Sequence, residues 1–156
     1  MPPLSVLIKP VSGSCNMNCS YCFYTDEIQN REIACTGKMS KETIHRLIDQ
    51  AFKYADFECT FAFQGGEPTL AGLDFFKAFS SYINIHPNPK HLQIHYAFQT
   101  NGLLIDEAWA QWFKENHVLV GISLDGPKSI HDRYRKDHLG NGTFDRVMTS
   151  IDLLKK

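Results

Sequence analysis

Apolar residues along this chain fall into short β-branched or aromatic runs separated by longer stretches with helical spacing. Leu4 to Lys9 is apolar and β-branched enough for a buried strand. A polar stretch reaches to about Lys38. Ile44, Leu47, Ile48 and Ala51 then share one helical face, with Ser40 where a cap belongs and Glu42 in the first turn. Thr60 to Gln64 reads as a second strand. Phe75, Phe76, Phe79, Tyr82 and Ile83 follow at helical spacing, a stripe read as core-facing rather than as an aromatic binding surface. Leu92 to Gln99 is a third strand, and Asp106 can cap a helix carrying Ala108, Trp109, Trp112 and Phe113. Val118 to Leu124 is a fourth strand, and Thr143 opens a final helix running to Lys156.

Four strands alternating with four helices over short connections predict an α/β protein of parallel βαβ units with right-handed crossovers. A doubly wound sheet and a curved barrel both fit this pattern. No internal repeat, low-complexity tract or linker divides residues 1–156, so one domain is expected. In either architecture the loops beyond the strands' carboxyl ends build the site, because the strand termini converge there.

Composition narrows the function classes. With 156 residues, 43% of them hydrophobic, the chain can bury a sizeable core, and its formal charge of -1 offers no field for nucleic acid or an anionic membrane. Met1-Pro2-Pro3 leads into an apolar strand without a basic signal-type segment, and no run approaches membrane-spanning length, so a cytoplasmic location is expected. Five cysteines is an odd count without secretory context, which favours metal or reactive-thiol chemistry over a disulfide framework. Cys59 reads as packing, and Cys35, in a polar loop, has no role assigned.

The remaining cysteines lie together in Cys15-Asn16-Met17-Asn18-Cys19-Ser20-Tyr21-Cys22. Thiolates suit zinc, copper(I) and iron-sulfur clusters, and this spacing brings three sulfurs from one loop toward one centre. A closed structural zinc site needs a fourth ligand, but none follows Cys22 in the loop and the next histidine, His45, lies inside a predicted helix. Three thiolates on a cluster would leave one iron open. Ordinary buried or disulfide-forming cysteines are the plainer alternative. Three further loops each follow a predicted strand: Gly65-Gly66-Glu67-Pro68, Gln99-Thr100-Asn101-Gly102 and Ser123-Leu124-Asp125-Gly126. Singly each is ordinary turn chemistry. Jointly they place their polar residues on one rim beside the cysteines.

These residues resemble the radical S-adenosylmethionine superfamily, in which a Cys-x3-Cys-x2-Cys loop follows the first strand of a partial (βα)6 barrel. Tyr21 matches the aromatic before the last cysteine, and Gly65, Gly66 and Glu67 match the second-strand Gly-Gly-Glu motif. More narrowly, Pro2 to Pro10, Cys22-Phe23-Tyr24, the run Phe61 to Gly72 and Gln99-Thr100-Asn101-Gly102 resemble anaerobic sulfatase-maturating enzymes, which oxidise a sulfatase Cys or Ser to Cα-formylglycine.

The resemblance implies that Cys15, Cys19 and Cys22 hold a [4Fe-4S] cluster whose open iron chelates S-adenosylmethionine, and that reductive cleavage of that cofactor yields a 5'-deoxyadenosyl radical. It implies that Glu67 and the Gly65-Gly66 backbone receive the cofactor's ammonium, with Ser123 and Arg135 toward its ribose and carboxylate. A solvated surface role for Arg135 is the alternative. Tyr21 and Phe23 would shield the cluster or contact adenine, and Gln64 would lie beside the cofactor. Tyr24 and Gln99 would border the peptide substrate, Tyr24 as the nearest residue here to a catalytic one. Core or loop-bracing roles stay open for Gln64 and Gln99, and Asn101 reads as turn support. The implied partners are a sulfatase polypeptide carrying the target Cys or Ser and an electron donor such as flavodoxin or ferredoxin.

This chain departs from the family pattern in extent. It ends after about four βα units of six, and the family's cysteine-rich C-terminal domain, with its auxiliary clusters and base, is not among these residues. A truncated radical-enzyme core is therefore expected, not fully competent alone, with an unpaired edge on its last strand. A maturase of another peptide and a noncatalytic zinc-holding module are the rival readings.

Overall fold

The computed structural model describes residues 3–88 and 90–156. Pro2, part of one stretch that carries the resemblance, lies outside the described residues. Four strands, β1 (Leu4–Ile8), β2 (Glu58–Phe63), β3 (Gln93–Thr100) and β4 (Leu119–Ile122), form one sheet in the order β1-β2-β3-β4. Every pairing is parallel, with Leu4 beside Cys59, Cys59 beside Ile94 and Ala97 beside Leu119. Spatial order follows chain order, so the sheet never reverses direction and has no switch point. Right-handed crossovers then put the helices on one face, the arrangement of a barrel segment rather than a doubly wound sheet.

Alternation along the strands separates two faces. Phe61, Phe63 and Phe98 point toward the helices and are at most 1% exposed. There they meet α3 (Leu73–Ile85) and α4 (Glu107–Glu115) through edge-on ring contacts, Phe63 to Phe79 at 5.1 Å and Phe98 to Trp109 at 5.7 Å. Phe75, Phe76, Phe79 and Ile83 are buried as the stripe predicts, while Tyr82 is half-buried and its hydroxyl donates to Asp49 at 2.9 Å. α2 (Lys41–Tyr54) buries Ile44, Ile48, Ala51 and Phe52. Its cap is Ser40, whose Oγ accepts from the Thr43 N–H, and Asp106 caps α4 through the Trp109 N–H. Cys59 is fully buried in β2 and packs into this core, and burial pushes its thiol up to about 11.

The opposite face is open. Leu7 is 58% and Leu119 75% exposed, and among the described residues β4 pairs with β3 alone. A groove of about 840 Å³ runs beside β4, walled by Phe113, Val120, Ile122, Ile151 and Leu154. Among the described residues the outer edge of β4 is unpaired, as expected from the sequence. Among the described residues no helix is long and apolar enough to cross a membrane.

Two helices depart from the predicted four. α1 (Phe23–Gln29) lies inside the stretch read as polar loop, and α5 (Lys128–Tyr134) follows β4. Both are short: α1 buries no residue and α5 buries only His131, so neither carries the apolar stripe that marks a helix in sequence. α1 is held instead by Ile28, which packs where Gly13 has no side chain. Pro68–Ala71 forms a short 3-10 turn. β4 is shorter than predicted, and the final helix, α6, spans Phe144–Leu154. Thr143 precedes α6 but does not cap it with its side chain; Asp132 does, accepting the Phe144 N–H at 2.9 Å.

Candidate active site

The parallel register brings the carboxyl ends of all four strands to one side, and their loops enclose a cavity of about 350 Å³. Cys15, Cys19, Tyr21, Cys22, Phe23 and Tyr24 line it from the loop after β1 and the start of α1. Gln64, Gly65, Gly66 and Glu67 come from the end of β2 and its loop, Gln99, Thr100 and Asn101 from β3, and Ser123 and Arg135 from beyond β4. All site residues expected from the sequence therefore share one cavity. The larger groove beside β4 takes none of them.

Backbone bonds hold the cysteine loop. The Cys22 N–H donates to Cys19 O at 3.1 Å, closing a turn between these two sulfurs. Asn18 N–H donates to Lys136 O at 2.8 Å, Ser20 N–H to Tyr134 O at 3.0 Å, and Met17 pairs with Asp137 in an isolated bridge. The segment after α5 thus backs the loop like a short extra strand, a contact with no sequence signal. His138 adds a side-chain bond to Cys15 O at 2.9 Å.

The loop after β2 docks on the same backbone. Gly66 has φ +58°, and a Cβ there would lie 2.3 Å from Ser14 O. The Glu67 N–H donates to that same oxygen at 2.7 Å. The Glu67 residue is 1% exposed, and its side chain ties the loop after β2 to the loop after β3. Its Oε1 accepts from the Thr69 N–H at 3.0 Å and from the Thr69 and Thr100 hydroxyls at 2.7 Å each. Its Oε2 accepts from the Asn101 N–H at 2.7 Å. Pairing by four donors is what a carboxylate needs to be buried.

Arg135 is 8% exposed, which removes the surface reading. Its Nη1 donates to the Tyr21 hydroxyl at 2.7 Å, and that hydroxyl donates to Asp125. Its Nε is buried and has no hydrogen-bond partner among the described residues. Tyr21 therefore braces Arg135 and Asp125 while its ring stays 55% exposed. Gln99 donates to Ser123 Oγ at 3.0 Å, lying across Gly121, where a Cβ would be 2.4 Å from the Gln99 amide oxygen. Lys9 stands 4.6 Å over the Tyr24 ring, and Gln64 is exposed at the rim. Cys35 lies outside the cavity wall, exposed, with Sγ 3.0 Å from Ser14 Oγ.

The cysteines' surroundings show what they could hold. Burial pushes the Cys15 and Cys19 thiols up, and the Arg135 guanidinium pulls Cys19 partly back. A desolvated thiolate here therefore gains from bound positive charge. Among the described residues no three His, Cys, Asp or Glu side chains are placed to hold a single metal ion. In a cluster each iron takes one thiolate, so the sulfurs stand around a volume instead of meeting at a point. Three cysteines and the Arg135 guanidinium lining one cavity fit a cluster plus an anionic ligand.

A parallel barrel segment with a three-cysteine loop after its first strand defines a class, and the family profile described as Radical SAM superfamily matches residues 10–156. The chain belongs to that superfamily. Within it, a cysteine-type anaerobic sulfatase-maturating enzyme of Clostridium novyi is 49% identical over all of this chain and 41% of its own length. A serine-type anaerobic sulfatase-maturating enzyme of Bacteroides thetaiotaomicron is 36% identical, over 99% of this chain and 37% of its own. A solved structure described as native anSMEcpe with bound AdoMet superposes with a TM-score of 0.92 at 48% identity, covering 98% of this chain and 41% of that one. The chain thus spans about two fifths of the relatives it matches.

Proposed function

We propose that this chain is the S-adenosylmethionine-cleaving core of an anaerobic sulfatase-maturating enzyme, aligned with the N-terminal portion of those relatives. The observation that carries this reading is the cavity itself, lined by Cys15, Cys19 and Cys22, by the Gly65 to Glu67 loop and by Arg135. When bound, a [4Fe-4S] cluster and S-adenosylmethionine supply one-electron reduction and hydrogen-atom abstraction.

The three cysteines would ligate the cluster. Arg135, fixed by Tyr21, presents a second donor to a carboxylate such as the methionyl group of the cofactor. Glu67 is saturated at Oε1, so it acts mainly by shaping the Gly65-Gly66 backbone, and Oε2 alone has capacity left for an ammonium. Ser123, held by Gln99, faces the cavity as a ribose partner. The Phe23 and Tyr24 rings, tilted against each other with centroids 4.1 Å apart, line the cavity and would border an entering peptide. The substrate would be a sulfatase polypeptide carrying Cys or Ser, and the electron a gift of a flavodoxin- or ferredoxin-type donor in the cytoplasm. The higher identity to the cysteine-type relative supports a cysteine target.

Anaerobic reconstitution of the chain with iron and sulfide tests the core reading. A [4Fe-4S] cluster whose electron paramagnetic resonance spectrum changes on adding S-adenosylmethionine is expected. Stoichiometric zinc without iron, or a spectrum indifferent to S-adenosylmethionine, overturns it. Mass spectrometry of Cys- and Ser-containing sulfatase peptides after turnover then separates a sulfatase maturase, which leaves formylglycine, from a maturase of another peptide.

A further inference from the structure

Asn101 belongs to the turn after β3, yet its side chain is directed at the cysteine loop. The residue is 5% exposed, and its side-chain amide and main-chain N–H are engaged. Its Oδ1 accepts the Leu103 N–H at 3.0 Å. A backbone N–H is an unambiguous donor, so this bond fixes which end of the amide is oxygen. The Nδ2 group must then face the other way, where it donates to Asn16 Oδ1 at 2.7 Å and lies 3.8 Å from Cys15 Sγ. The Asn101 main-chain N–H is also held, by Glu67 Oε2.

Cys15 thereby has two N–H groups directed at its sulfur, the Asn101 amide and the Met17 backbone N–H at 3.4 Å. Among the described residues neither Cys19 nor Cys22 receives one. The loop treats its three sulfurs unequally.

We propose that Asn101 is a potential-setting residue, donating to the Cys15 sulfur and easing reduction of a cluster bound there. The proposal rests on the cluster reading given above. Reduction adds electron density to the cluster and its thiolates, and an N–H donor stabilises that density more in the reduced state than in the oxidised one. Removing the donor lowers the reduction potential. Asn101→Asp keeps the acceptor for Leu103 and the shape of the side chain, but replaces the donor with negative charge.

The test is a potentiometric titration of the anaerobically reconstituted chain, followed by electron paramagnetic resonance of the reduced cluster. Asn101→Asp is expected to shift the potential downward at unchanged iron content, with Asn101→Ala shifting it less. In Asn101→Ala, which adds no charge, a merely structural role would change unfolding but leave the potential in place. Equal potentials at equal iron content overturn the proposal, whereas a wild-type chain that assembles no cluster overturns the cluster reading instead. A second measurement needs no variant. With asparagine labelled at its side-chain nitrogen by 15N, pulsed electron paramagnetic resonance of the reduced wild-type cluster should show a coupled 15N nucleus. Its absence also overturns the proposal.

Discussion

Gly66 is where the structure makes its sharpest quantitative commitment. At φ +58° an added Cβ costs about 1–2 kcal/mol in backbone conformation alone. It would also sit 2.3 Å from Ser14 O and 2.9 Å from the Gly13 carbonyl carbon, both main-chain atoms that no rotamer change can move. Relieving such overpacking costs about 1–3 kcal/mol. The shift would stretch the Glu67 N–H bond to Ser14 O, worth about 1 kcal/mol. Gly126 provides a matched control, with φ +55° and nothing within 4 Å of an added Cβ. Gly126→Ala therefore carries only the conformational cost, and Gly66→Ala should be less stable than it by about 2–4 kcal/mol. At about 2–4 °C per kcal/mol for a chain of this size, thermal unfolding of the metal-free chain under reductant resolves the gap. Iron content after reconstitution should fall in Gly66→Ala as well, because the displaced backbone leads directly into Cys15. Melting temperatures within about 2 °C of each other would refute the steric reasoning.

Three more predictions address the bracing around the cavity. His131 is fully buried, its Nδ1 accepting from the Asp125 N–H and its Nε2–H donating to Thr143, whose hydroxyl donates to Arg135 O at 3.0 Å. Burial and Arg135 hold it below the usual histidine range against the opposing pull of Asp125 and Asp132, with Lys128 adding to the lowering. The unfolded chain then binds the proton first, so stability is whole above about pH 6.5 and declines as pH falls toward the folded value, by at most about 1.4 kcal/mol per pH unit. Denaturant titrations of wild type and His131→Gln between pH 8 and 5 should differ in this slope, and parallel slopes would count against the neutral histidine. Gly121→Ala should turn the Gln99 amide off Ser123 and weaken S-adenosylmethionine binding about five-fold, roughly the worth of one hydrogen bond. Gln99→Ala should show the same loss, and a double variant whose losses simply add would sever the proposed link. Glu67→Gln sets an amide against the Asn101 N–H and weakens bonds to a buried charge, so chemical denaturation should report a loss of about 2–4 kcal/mol; less than about 0.5 kcal/mol would mean these contacts are incidental.

What could be read from the sequence was what repeats or punctuates. The four strands, the Ser40 and Asp106 caps and the aromatic stripe of α3 follow from periodicity and local hydrogen bonding, both short-range properties. The cavity followed because four turn motifs each ended a parallel strand, which is geometry that topology alone imposes. α1 and α5 were hidden because short helices held by one or two side chains leave no periodic trace. Arg135 could not be told from a surface residue, since its burial depends on Tyr21 more than a hundred positions away, across a hydrogen bond of sequence separation 114. Asn101 reads as turn support in sequence for the same reason: its bond to Leu103 is local, whereas its contacts with Asn16 and Cys15 are not.

These long-range contacts share a direction. Glu67 ties the β2 loop to the β3 loop, Asn101 ties the β3 loop to the cysteines, and Tyr21 with Lys136 and Tyr134 ties the cysteines to the segment beyond β4. The loop that would carry the metal has little of its own in the apolar core: of its residues from Ser14 to Cys22, only Met17 is buried. Its shape is therefore set by neighbouring loops through main-chain and carboxamide bonds, which lose much of their worth when either partner shifts. Bracing of this kind reduces the ordering that ligation of the sulfurs must supply. It also follows that damage to the site can come from any of the four strand ends, and that a variant remote from the cysteines in sequence, such as Glu67→Gln, should lower iron uptake as surely as one beside them.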